Sequence, residues 1–220
     1  MSRLPRPAKA VIFDMDGLLF DTERLYCRAM TQAAAELGET LPLELYLGMI
    51  GLPGLDNMAM LAAHYGEAFD VKAFWAASRA RFHELAEVEI GLKAGVVELL
   101  DHLDALDLPR AIATTSRRES ADHHLAAHGL TARFDAIVAH GDYERGKPHP
   151  DPYLKAAEIL GVAPRDCLVL EDSHNGVRSA AAAGAMAVMA PDMLPATDEM
   201  RGLCVEIVED LHAVRGLLGG

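Results

Sequence analysis

At 220 residues the chain is long enough for one large domain, or for a domain carrying an insert, and its 51% hydrophobic content supports a sizeable core. The net charge of −13 argues against a nucleic-acid partner, because phosphate backbones are bound by surplus Lys and Arg. No apolar run approaches the roughly 20 residues that a bilayer crossing needs, so no membrane partner is expected. The basic start "MSRLPRPAKA" carries two prolines with no apolar stretch behind it and does not read as a secretory signal. Cys27, Cys167 and Cys204 lie far apart and in odd number; they read as reduced packing residues of a cytoplasmic protein, not as a disulfide framework or a zinc site.

In chain order, the run "AVIF" (10–13) reads as a strand that ends directly against Asp14, with Asp16, Gly17 and Asp21 close behind. A helical pattern starts near Arg24, placing Tyr26, Met30, Ala33 and Leu37 on one face before Gly38. Two further stripes follow, at Leu55, Met58, Ala62 and Tyr65, and at Val71, Trp75, Phe82 and Leu85, with no convincing strand between them. From Gly95 the rhythm changes. Helix 96–106, strand 110–115, helix 120–128 and strand 136–139 come in turn, then helix 151–161, strand 167–172, helix 176–184 and strand 187–190. Such alternation predicts an α/β fold with a parallel sheet covered by helices on both faces, and the strands lack polar alternation, as buried parallel strands do. The helical block interrupts this fold after its first strand. We therefore expect a core of residues 1–20 and 90–220 and a helical cap of residues 21–89.

Ligands of open parallel sheets bind beyond the carboxyl ends of the strands. Asp14 and Asp16 fall there after the first strand, Thr114, Thr115 and Ser116 after the strand at 110, and Glu171 and Asp172 after the strand at 167. Lys147 follows the strand at 136 after a short loop. Convergent Asp14, Asp16 and Asp172 would repel one another unless a cation neutralised them, and hard oxygen donors select Mg²⁺. Asp14 would then act as a nucleophile on phosphorus. Asp16 would protonate the leaving oxygen and later deprotonate the attacking water. Thr114 would donate to a phosphoryl oxygen, and Lys147 would hold Asp14 and the transferring group in line. Hydrolysis of a phosphate monoester can demand about 10²¹-fold acceleration. A positioned acid or base supplies only about 10²–10⁴, so metal, lysine, hydroxyls and covalent catalysis must carry the rest.

Simpler readings stand beside these. Ser116 has the position of a helix cap in "SRRE", Asp21 that of a cap for the first inserted helix, and Asp151 that of a cap before Pro152. His123, His124 and His128 share a helical face and read as solvated, His149 as a loop residue, and Met58, Met60 and Trp75 as packing. Arg24 and Arg28 read as solvated helix charges that can also steer an anion.

The stretches "DMDGLLFDTE", "ATTS", "GKPHPDPY" and "LVLEDSHNGVRSAAAAG", in this order and with fitting gaps, resemble the haloacid dehalogenase superfamily, in the subfamily with an inserted helical cap. The resemblance covers nearly the whole chain. It implies a Rossmann-like core, cap motion, and a Mg²⁺-dependent phosphatase that forms an aspartyl-phosphate on Asp14. It also implies Asp16 as acid/base, Thr114 as phosphate-binding hydroxyl, Lys147 as charge-stabilising lysine, and Glu171 and Asp172 as the acidic pair of a metal site to which Asp16 adds its backbone carbonyl. Thr115 and Ser116 fall within the phosphate-binding motif. Gly51, in the "IGLPG" loop (50–54), is expected opposite Asp14 when the cap closes. Halide-displacing relatives lack the second aspartate, and phosphonate-cleaving ones need a cap lysine that is absent between Lys9 and Lys72. Mutases of the β-phosphoglucomutase type are the alternative; they carry a cap histidine and a loop arginine where this chain has Tyr26 and Gly54. A non-enzymatic phosphorylated switch is a more distant one, since the insert and the acidic pair after the lysine do not suit it. The expected partner is a small phosphorylated metabolite, a sugar phosphate or a nucleotide-like compound, bound by a monomer.

Overall fold

The computed structural model describes residues 4–52 and 54–219. Met1–Arg3 of the basic start and Pro53 of the "IGLPG" loop lie outside the described residues. Six strands, β1 (Ala10–Phe13), β2 (Arg110–Arg117), β3 (Ala136–His140), β4 (Cys167–Glu171), β5 (Met186–Met189) and β6 (Glu206–Ile207), form one sheet in the order β3-β2-β1-β4-β5-β6. Every neighbouring pair is parallel. β1 is central, with Phe13 level with Ile112 on one side and Leu170 on the other. Its four residues are wholly buried, because an interior parallel strand meets packed side chains on both faces.

The core helices are α5 (Val96–Ala105), α6 (Arg118–Ala127), α7 (Asp151–Leu160), α8 (His174–Ala182), α9 (Asp198–Leu203) and α10 (Leu211–Leu218). On α7 the buried stripe is Pro152, Tyr153, Ala156 and Ala157, which packs with Ile12, Ala113, Val138 and Val169 of the sheet. The small alanines bring the helix close to the strands. Gly161 ends α7 in a left-handed conformation that a side chain would strain.

The inserted helices are α1 (Thr22–Glu36), α2 (Leu43–Met49), α3 (Gly54–Tyr65) and α4 (Val71–Glu89). Contacts divide the chain into two compact units, one ending at Phe20 and resuming at Leu92, the other Asp21–Gly91. In the second unit α1 packs on α4 through Leu25, Ala29, Phe82 and Ala86. Tyr26 stacks face to face on Phe82, with ring centroids 3.8 Å apart. No helix of the described residues is long and apolar enough to cross a membrane.

Several local expectations are corrected. Asp151 is the first helical residue, not the cap, and its carboxylate takes hydrogen bonds from the backbone and guanidinium of Arg145. Asp21 stands at the N-cap position of α1, but its side chain makes no capping bond. His124 is buried, not solvated: Phe20 meets its ring edge-on at 5.6 Å. The sheet also continues past β5 through α9, β6 and α10, which the alternating pattern did not reveal.

Candidate active site

The C-terminal edge of β1 is extended by Asp14, whose backbone N–H donates to Leu170 O at 2.9 Å. Beyond it the chain turns tightly. Gly17 adopts a left-handed φ of 83° and its N–H donates to Phe20 O at 2.9 Å. A side chain would strain that turn, so glycine here lets the backbone fold back immediately after Asp16.

Two sets of contacts radiate from this turn. On one side lie Asp14, Glu171 and Asp172, all buried, each offering a carboxylate oxygen within 4.8 Å of the others. Lys147 reaches into this group: its Nζ donates to Asp14 Oδ1 and to Glu171 Oε1, the latter at 2.6 Å. On the other side Asp16 turns toward the end of β2. Its Oδ2 accepts from Ser116 Oγ at 2.7 Å and from Thr114 Oγ1 at 3.3 Å. The Asp16 side chain is therefore not part of the carboxylate cluster, and Asp14 and Asp16 meet different partners although only one residue separates them.

Like charges at 4.8 Å repel by about 3.5 kcal/mol per pair at an effective dielectric near 20. Three carboxylates face one ammonium. Burial, opposed by Lys147 and reinforced by Glu171 and Asp16, pushes the Asp14 carboxyl up to about 8. Burial alone would lower the Lys147 ammonium, but Asp14 and Glu171 beside it hold it well above its usual range. The cluster thus has an excess of negative charge and only oxygen donors, and a divalent hard cation fits that deficit without taking a proton onto Asp14.

Glu171 is the most tightly held member. Its Oε1 accepts from Lys147 and from the Tyr153 hydroxyl, and its Oε2 from Asp172 N, Ser173 N and Ser173 Oγ at 3.0–3.1 Å. Ser173 also caps α8, its Oγ accepting from Gly176 N at 3.1 Å. A Cβ on Gly176 would fall on the Glu171 carboxylate, so glycine leaves the room this side chain fills.

Of the residues singled out from the sequence, Asp14, Asp16, Thr114, Ser116, Lys147, Glu171 and Asp172 meet at this edge. Ser116 bonds Asp16 rather than capping the next helix, because α6 starts at Arg118 and its N-cap position is Arg117, which makes no side-chain capping bond. Thr115 is exposed. Gly51 belongs to the inserted unit, where with a φ of 76° it lines a cavity of about 260 Å³ together with Glu23, Tyr46, Asn57 and Trp75. Tyr153, Ser173 and Gly176 were missed. For Tyr153 a signal existed: a tyrosine set among alanines on a buried helical stripe must find an acceptor for its hydroxyl.

The family model for the haloacid dehalogenase-like hydrolases matches residues 11–190. Among curated proteins the chain is 36% identical to the "Probable pseudouridine-5'-phosphatase" of Drosophila melanogaster, over 87% of this chain and 85% of that one. It is 33% identical to the phosphorylated carbohydrates phosphatase of Thermotoga maritima, over 80% and 82%. Among solved structures, CbbY from Rhodobacter sphaeroides in complex with phosphate superposes with a TM-score of 0.77 at 29% identity, covering 97% of each chain. With a six-stranded parallel sheet and acidic edge of this kind, the chain belongs to the haloacid dehalogenase-like hydrolases and is a phosphoric monoester hydrolase.

Proposed function

We propose that the protein is a Mg²⁺-dependent phosphatase of small phosphomonoesters, sugar phosphates or nucleotide-like compounds, acting through an aspartyl-phosphate on Asp14. The observation that carries this reading is the division of labour around one turn: Asp14 beside Lys147 and two further carboxylates, Asp16 held apart by two hydroxyls. The names of the relatives, a pseudouridine-phosphate and a carbohydrate-phosphate phosphatase, support the substrate class.

Asp14 attacks phosphorus, and the bond to the ester oxygen breaks as Asp16 gives that oxygen its proton. Asp16, now a carboxylate, takes a proton from the water that attacks the aspartyl-phosphate, which regenerates Asp14 and releases inorganic phosphate. Lys147 stays charged beside Asp14 and stabilises the charge gathered on the phosphoryl group. Thr114 and Ser116 fix Asp16 and supply hydroxyls next to the reacting oxygens. Asp14, Glu171 and Asp172, with the backbone carbonyl of Asp16, would hold Mg²⁺, which would neutralise phosphoryl oxygens and keep Asp14 ionised. The inserted unit, with Gly51 in its loop, is assigned the choice of leaving group.

The mutase alternative is not favoured. The ring of Tyr26, at the position of the mutase histidine, is committed to stacking on Phe82. The test is phosphate release from a panel of phosphorylated metabolites with Mg²⁺ present. Asp14→Asn is expected to lose about 10⁴-fold or more in turnover while keeping its fold by circular dichroism. Unchanged turnover in that variant would reject Asp14 as the nucleophile.

A further inference from the structure

We propose that the Tyr153 hydroxyl is a positioning residue for the reaction: it fixes Glu171, and through Glu171 sets the Lys147 ammonium against Asp14. This inference rests on the assignment of Lys147 and Asp14 made above. A carboxylate oxygen offers about two lone-pair positions. Three donors from Asp172 and Ser173 crowd onto those of Glu171 Oε2 and share them, so the carboxylate cannot rotate without breaking these bonds. Gly176 closes the remaining side, since even a methyl group there would overlap the carboxylate. Oε1 then presents two positions in fixed directions. The Tyr153 hydroxyl takes one and Lys147 Nζ the other at 2.6 Å.

Tyr153 is 1% exposed and carried on α7, which packs directly on the sheet, so its hydroxyl has little freedom to move. The same ring lies under the ammonium, with Nζ 4.9 Å from its centroid. One residue thus limits Lys147 twice, by occupying the rival acceptor position on Glu171 and by offering a π face. Without the hydroxyl, both positions on Oε1 open to the ammonium, which slides toward Glu171 and away from Asp14. A displacement of about 1 Å at a catalytic group can cost about 10²-fold in rate, whereas ground-state binding of the phosphoryl group is left largely unchanged.

The experiment uses the full chain with Mg²⁺ and p-nitrophenyl phosphate, in the variants Tyr153→Phe, Lys147→Met and both together. Tyr153→Phe keeps the ring and its packing. Turnover is expected to fall between about 10-fold and 10²-fold with KM changed less than about twofold, in a variant whose thermal melt stays cooperative. In the Lys147→Met background the tyrosine change should have no further effect on the residual rate, because the group it positions is gone. A full-rate Tyr153→Phe variant overturns the proposal. So does an equal fold-loss in both backgrounds, which marks a merely structural hydroxyl. Full activity in Lys147→Met alone would instead overturn the assignment of the lysine itself, so the two failures are distinguishable.

Discussion

The two units treat charge in opposite ways. In the inserted unit ion pairs join exposed carboxylates to guanidinium groups: Arg28 grips Glu89 through two hydrogen bonds of 2.6 and 2.9 Å, and Arg81 meets Glu36 at 2.6 Å and Glu84 at 2.7 Å. These pairs are solvated, and Arg28 holds Glu89 below the ordinary carboxylate range. At the core edge three buried carboxylates cluster where one lysine pairs with two of them, Asp14 and Glu171, and burial drives Asp14 the other way, up to about 8. A charge that is individually matched in water costs little and contributes little. A charge left unmatched inside a protein is expensive, and persists where a ligand completes it.

The contrast can be broken at its strongest point first. Replacing Lys147 by Met removes the only ammonium from the cluster described here; turnover is expected to fall about 10²–10³-fold, measured as phosphate release, in a protein that stays folded at the assay temperature. A variant that loses stability but turns over normally would make the lysine structural. Gly176→Ala sharpens the same comparison from the packing side. Its methyl group must displace Glu171, and an overpacked site of this kind costs about 1–3 kcal/mol, read from chemical denaturation, together with reduced turnover. Denaturation and turnover both at the unchanged level would mean that the carboxylate relaxes freely. The smallest effect belongs to the inserted unit. Arg28→Ala should leave turnover and melting temperature at the parent values, because exposed ion pairs contribute little. A large loss of activity there would reopen the idea that this arginine steers the substrate.

Much of the core was readable because its strands are short apolar runs ending in chemistry-bearing residues. The sequence "AVIFD" carries both the buried strand and the carboxylate at its end, and the register of β1 with β4 then sets Asp14 beside Glu171 and Asp172. What escaped was decided by tertiary partners. Ser116 has a helix-capping context, yet its hydroxyl goes to an aspartate a hundred residues earlier in the chain. β6 is two residues long and has no periodicity to detect, although α10 behind it does bury Leu211, Val214 and Leu217 on one face. His124 occupies a polar-looking stretch but is covered by Phe20, a contact that no local pattern encodes. Tyr153 went unread, and its acceptor, Glu171, has no local signal, because the contact joins α7 to β4.

The central claim is that Asp14, Glu171 and Asp172 form a site completed by a divalent cation. Titration calorimetry of Mg²⁺ into the metal-stripped protein, and into Asp172→Asn, addresses it directly. The account predicts saturable binding of one ion to the parent chain and an affinity reduced about tenfold or more in the variant. No binding to the parent, or equal affinity in both proteins, would contradict it.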